Sequence, residues 1–151
     1  MAEVKLESIR KTFGDVVALD NLNIDIKDKE FFILLGPTGA GKTTTLRIVS
    51  GLEKPDKGNV FFGDLDVTKL SPAIRDVTFV FQYYTLYPHY TVRQNLEFPL
   101  KSNLRRTPPD VIDKKVQEVS KLLHVEHLLN RKTVNLSGGE MQRIAIGRAI
   151  V

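Results

Sequence analysis

Phe31-Phe32-Ile33-Leu34-Leu35-Gly36-Pro37-Thr38-Gly39-Ala40-Gly41-Lys42-Thr43-Thr44 is the stretch on which the reading of the whole chain turns. Residues 36–43 fit G-x-x-x-x-G-K-[ST], the pattern of a phosphate-binding loop. The apolar run before it predicts a short strand buried on both faces. Thr43 to Ser50 predicts a helix with Leu46, Ile48 and Val49 apolar and Gly51 closing its C-terminus. Gly36, Gly39 and Gly41 permit backbone angles and approaches that a Cβ would block. Together with Pro37, Thr38 and Ala40 they form a loop whose successive N–H groups curl into an anion nest at a helix N-terminus. Lys42 is then the group that reaches β- and γ-phosphate oxygens, and the Thr43 hydroxyl the ligand for Mg²⁺. Thr44 adds a hydroxyl on the α-phosphate side.

The chain has 151 residues, enough for one domain with a real core, and 42% hydrophobic with 26% charged residues is ordinary for a globular protein. The net charge of +4 comes from scattered Lys and Arg, which reads as a solvated basic surface, and no nucleic-acid partner is expected. Without cysteine there is no disulfide framework and no thiolate metal site, which fits a reducing cytoplasm. No apolar run has the length of a membrane helix, and the first residues are not a signal peptide, so any membrane role is expected to act through a partner.

Upstream of the loop, Val4 to Ile9 and Leu22 to Ile26 alternate apolar and polar residues, with a turn at Phe13-Gly14-Asp15. An antiparallel β layer beside the loop is the expectation. Phe13 is either a core residue or an aromatic placed to stack on a purine. Downstream, Asn59 to Phe62 reads as a strand turned back at Gly63-Asp64, and Ser71-Pro72 as the start of a brief helical turn. Val77 to Phe81 reads as another strand, ending at Gln82; the C-terminal end of a strand is where ligands bind in α/β sheets, but on that fact alone a surface glutamine is the stronger reading. Four tyrosines follow in the eight residues 83–90, a composition favoured at interfaces, with packing inside the chain as the alternative. Thr107-Pro108-Pro109-Asp110 predicts a helix with Thr107 as N-cap, and Ile112, Val116, Val119 and Leu123 give it an apolar stripe. His124 and His127 lie three apart with no third ligand evident, and no metal is expected there.

Leu136-Ser137-Gly138-Gly139-Glu140-Met141-Gln142-Arg143 is the second informative stretch. Ser137 and Glu140 form a capping box ahead of a helix with apolar Ile144, Ala145 and Ala149. Capping does not explain the glycine pair, since each glycine in a helix costs about 1 kcal/mol against alanine. Two of them in a first turn imply that something approaches the backbone closely. Bare N–H groups there make a second anion site.

Residues 136–143 resemble the signature motif of ABC-transporter ATPase subunits, and residues 36–44 their Walker A motif. Phe81-Gln82 is similar to their Q-loop, and Phe13 falls where that family keeps an adenine-stacking aromatic. The run from Phe79 to His89 most resembles maltose-type importer ATPases, although polyamine, iron and sulfate importer subunits have similar sequences there. The resemblance implies an α/β fold: a P-loop NTPase (RecA-like) core, incomplete, with an N-terminal antiparallel β layer and a helical signature subdomain. The β layer and core would span about 1–86 and the helical subdomain about 87–151. It implies ATP and Mg²⁺ as ligands, with Lys42 and the amides of residues 39–44 on the phosphates and Thr43 and Gln82 at the metal. Lys42 and Gln82 would be the catalytic residues. Ser137, Gly138, Gly139 and Glu140 would act on the nucleotide of a partner subunit, a second copy or paralogue in a head-to-tail dimer. A membrane permease would dock near residues 83–89, placing the chain in the cytoplasm on the inner face of the membrane, as part of an importer for carbohydrate.

Two departures concern single residues. Glu140 stands where the family often has glutamine, and the Phe13 ring is less electron-rich than the usual tyrosine or tryptophan. A third is larger, because no apolar run here ends in Asp-Glu, the family's catalytic strand. The expectation is a fragment, or half, of such an ATPase that binds nucleotide weakly and hydrolyses it very slowly, short of a general base worth roughly 10²–10⁴-fold. A soluble ATPase of the same family, in DNA repair or translation, and a non-hydrolysing ATP-gated interaction module are the competing readings. A GTPase is disfavoured, because its Asn-Lys-x-Asp motif is absent.

Overall fold

In the computed structural model, which describes residues 3–102 and 107–151, strand β1 (Val4–Phe13) pairs antiparallel with β2 (Val16–Ile26). Gly14 turns the hairpin with φ 55°. Strict alternation would put Leu6 and Ile9 on opposite faces, yet both are buried. A register shift between them reconciles the two facts: Ser8 takes φ 50°, and its N–H donates to Asn23 Oδ1 at 2.8 Å. This β-bulge resets the phase of the strand. β3 (Lys57–Phe62) pairs with the other side of β1, and β4 (Leu65–Asp66) closes the order β2-β1-β3-β4. Gly58 is needed there, because with φ +88° a Cβ would lie 2.6 Å from the Ser8 carbonyl oxygen.

The chain divides into two compact units, residues 1–78 and 79–151. In the first, helix α1 (Lys42–Ser50) lays Ile48 into a core of Leu6, Ile9, Leu19, Val60 and Val67, and the short α2 (Pro72–Arg75) follows Ser71 as expected. Gly51 closes α1 in the left-handed conformation at φ 78°.

Two expected strands do not form. Residues 31–35 make no ladder, and Phe31 and Leu35 are 89% and 84% exposed. Residues 77–81 are likewise unpaired, with Val80 and Phe81 exposed, so Gln82 does not end a strand. Apolar and aromatic composition favours extended backbone, but a strand exists only through the hydrogen bonds of a neighbour. Among the described residues neither segment has one.

The second unit is helical. α3 (Val92–Glu97) starts on a full capping box between Thr91 and Gln94, which the sequence reading missed. α4 (Pro109–Leu122) buries Ile112, Val116 and Val119 as its stripe predicts. Its N-cap is Pro108, not Thr107. A residue before proline is driven to extended backbone, and Pro108 with ψ 147° makes the helix begin one position later than a Thr107 cap requires. α5 (Gly138–Ile150) crosses α3 closely at Gly147, where a Cβ would lie 2.7 Å from Leu96 Cδ2. Val92, Leu96, Leu100, Ile112, Val116, Val125, Leu128 and Ile144 form the shared core.

Candidate functional site

The loop 36–44 lies in the first unit. Gly41 is the N-cap of α1 with φ 80°, and no side chain caps the helix. A Cβ on Gly41 would lie 2.6 Å from the Ala18 carbonyl oxygen and 2.6 Å from Leu19 Cδ2, so the loop rests directly on β2. Gly39 has φ +85° and nothing within 4 Å of a built Cβ. The Lys42 ammonium folds back over the loop and donates to the carbonyls of Gly36 and Pro37, both at 2.7 Å. Thr43 and Thr44 stand in the first turn, and the Ala40 N–H donates to the Pro37 carbonyl at 3.2 Å. An uncapped helix N-terminus, a left-handed glycine and a tethered ammonium suit a polyphosphate.

Phe13 ends β1 and is 49% exposed, which rules out the core reading. The Lys11 ammonium lies 5.1 Å from the centre of its ring.

Arg75, which the sequence reading passed over, anchors the far end of α1. It is buried, and its guanidinium donates to the carbonyls of Ile48 (2.8 Å), Val49 (2.7 Å), Leu70 (3.0 Å) and Thr68 (3.1 Å). A cation at a helix C-terminus is favoured by the helix dipole and satisfies carbonyls that have no partner within the helix. Burial holds its pKa below the ordinary value.

The second unit carries the other groups. Gln82 is exposed, in a bend. The tyrosines that follow divide between the two readings. Tyr83 is 83% exposed, whereas the Tyr87 ring packs 5.4 Å from Tyr90 and 4.5 Å from Phe98. Two side chains clamp this segment. Asn95, fully buried, accepts from the Tyr87 N–H at 2.9 Å and donates to the Tyr87 carbonyl at 3.2 Å. Arg148 of α5 donates to the Thr85 carbonyl at 2.7 Å and stacks over the Tyr87 ring at 4.6 Å. The sequence did signal Asn95, as a polar residue between the apolar positions Val92 and Leu96.

The capping box at the start of α5 is formed as expected: Glu140 N–H donates to Ser137 Oγ, and Ser137 N–H donates to the Glu140 carboxylate at 2.7 Å. The Ser137 hydroxyl also reaches that carboxylate at 2.7 Å. Gly138 has only Tyr84 Oη near a built Cβ, at 3.5 Å, and Gly139 has nothing within 4 Å. Neither has a positive φ, so nothing inside the unit calls for glycine at 139.

Hydrogen bonds from Ser137 side chain and backbone hold the Glu140 carboxyl below the usual carboxylate range. A lowered folded-state pKa gives stability that is complete above the unfolded value, about 4.3, and is lost as pH falls through the folded value. Protection of the amides of residues 137–141, relative to an unstructured peptide at the same pH, is therefore expected to fall below about pH 4. Glu140→Gln, which keeps the capping box without a titrating group, is expected to flatten that dependence; an equal loss of protection in the variant would refute the assignment.

Loop and signature thus stand in separate units, each internally ordered. A family model described as ABC transporter matches residues 19–151. Over its whole length the chain is 50% identical to the trehalose/maltose import ATP-binding protein of Thermococcus litoralis, covering 42% of that protein. It is 47% identical to the xylose/arabinose import ATP-binding protein of Haloferax volcanii, covering 39% of it. With 98% of the chain aligned, it is 49% identical to the spermidine/putrescine import ATP-binding protein of Clostridioides difficile, 42% of which is covered. The chain thus spans less than half the length of these relatives. Among solved structures, a dimeric ATP-binding cassette in a post-hydrolysis state with ADP and Pi superposes with a TM-score of 0.85 at 35% identity, over 97% of this chain and 68% of that one.

Proposed function

The chain belongs to the ABC transporter family, and from that premise we propose that it is the nucleotide-binding part of an importer ATPase. It holds ATP and Mg²⁺ at residues 36–44 and offers Ser137–Glu140 to the nucleotide of a second copy. The observation that carries this reading is Gly139: a glycine at an uncrowded helix start, with ordinary backbone angles, kept free for something outside its own unit. The phosphates supply dense negative charge, which bare N–H groups of two helix starts can share. Lys42 holds that charge by moving from the carbonyls of Gly36 and Pro37 to phosphate oxygens, and the Thr43 hydroxyl faces the metal. Gln82 serves as the second metal-side group.

The relatives that import disaccharides and pentoses support carbohydrate as the solute class, and the exposed Tyr83 supports a permease contact at residues 83–89. Attachment is then peripheral, on the cytoplasmic face; no helix among the described residues is long and apolar enough to cross a membrane. These 151 residues, which contain no Asp-Glu strand, bind nucleotide without appreciable turnover.

Sedimentation of the chain with and without MgATP tests the shared site. ATP is expected to convert monomer to dimer, and Lys42→Ala to abolish the shift. Bound ATP on a persistent monomer would exclude the two-copy arrangement, and rapid turnover abolished by Lys42→Ala would exclude the binding-only role.

A further inference from the structure

Lys11 links the segment that follows α1 to the ring of Phe13. Its ammonium donates to the Lys54 carbonyl at 2.8 Å, pairs with Glu53 at 2.8 Å and Asp56 at 3.4 Å, and lies 5.1 Å from the Phe13 ring centre. That separation is within the range of a cation–π contact. The hydrogen bond to Glu53, foremost among several causes, raises the Lys11 pKa, so the group is fully charged at neutral pH. Asp56 also accepts from the Thr12 N–H and hydroxyl, each at 2.7 Å, which fixes the strand between the two side chains.

The ladder places this pair relative to the loop. Phe13 is opposite Val16, and Lys11 is opposite Leu19. Gly41 rests on Ala18 and Leu19. From Leu19 to Val16 is three strand residues, about 10 Å. A ring at that distance from the phosphate loop, half open to solvent, is within reach of the base of a nucleotide whose phosphates occupy the loop.

We propose that Lys11 is a positioning residue for the nucleotide base. Its ammonium fixes the Phe13 ring and draws π density away from the open face, which makes a phenyl ring a stronger stacking partner for an electron-rich purine. The inference rests on the reading of residues 36–44 as the triphosphate site.

The test compares ATP with inorganic tripolyphosphate, which has no base, by titration calorimetry on the 151-residue chain. Phe13→Ala is expected to weaken ATP about 10-fold, the scale of one lost base stack. Lys11→Met is expected to weaken ATP about 3-fold, the scale of an exposed cation–π contact. Both variants leave tripolyphosphate unchanged, and Lys11→Arg, which keeps a cation, restores ATP affinity. If Lys11→Met does not fold, Lys11→Gln, which keeps a donor for Glu53 without the charge, carries the same comparison. Equal weakening of both ligands by the Lys11 variants would mean that Lys11 acts only through the scaffold, and overturns the proposal. So does an unchanged ATP affinity in Lys11→Met beside a weakened Phe13→Ala. Failure of Phe13→Ala to discriminate the two ligands removes the base site itself, and failure of the unaltered chain to bind either removes the triphosphate reading.

Discussion

Gly41→Ala is expected to reduce nucleotide binding by about 100-fold, with Gly39→Ala much milder. Both glycines have φ near +80°, where an alanine carries left-handed strain of about 1 kcal/mol or more. They differ in surroundings. At Gly41 the added Cβ lies 2.6 Å from a backbone oxygen of β2, and a strand carbonyl does not give way as the end of a flexible side chain does. Relief requires the loop to lift off Ala18 and Leu19, which moves the N-terminus of α1 and with it Lys42. At Gly39 the Cβ enters open space, so only the backbone strain is felt. Together, displacement and strain at Gly41 of about 3 kcal/mol correspond to the stated 100-fold. Fluorescent ATP titration beside a thermal melt separates lost binding from lost folding. Equal effects of the two alanines would show that the contact with β2 does not set the loop geometry.

Arg75→Leu is expected to destabilise the first unit by about 3 kcal/mol, the middle of the range for breaking a buried, multiply bonded charge. Leucine retains apolar volume but strips donors from four carbonyls, two of them the final acceptors of α1. In a unit of this size that corresponds to a fall in melting temperature of about 15 °C, with hydrogen exchange rising first at Val49–Gly51. Arg75→Lys recovers part of the loss, because a point cation satisfies fewer carbonyls than a planar fork. A melt unchanged within 2–3 °C, less than about 1 kcal/mol, would mean that water replaces the guanidinium at no cost.

What the sequence disclosed and what it hid follow a physical division. The α1 boundary, the β1–β2 hairpin and the Ser137 cap were legible because each depends on residues within a few positions of one another. Residues 31–35 and 77–81 were misread as strands because strand formation depends on a neighbour, and composition reports only the readiness to accept one. Thr107 lost the cap of α4 to a local rule that was available but not applied, the effect of Pro109 on the residue before it. Arg75 and Lys11 were silent for another reason. Each acts on partners far away in the chain, 27 residues from Arg75 to Ile48 and 43 from Lys11 to Lys54, and no periodicity marks such pairs.

The partners of Arg75 have a consequence for how this chain tolerates change over evolutionary time. All four acceptors are main-chain oxygens, which every amino acid possesses. Positions 48, 49, 68 and 70 are therefore free to exchange side chains, as far as this anchor is concerned, without loosening it. Position 75 has no such freedom. The constraint falls on one side only, so covariation between columns of related sequences is expected to pass over one of the most demanding residues in the unit, while single-site invariance at position 75 reveals it.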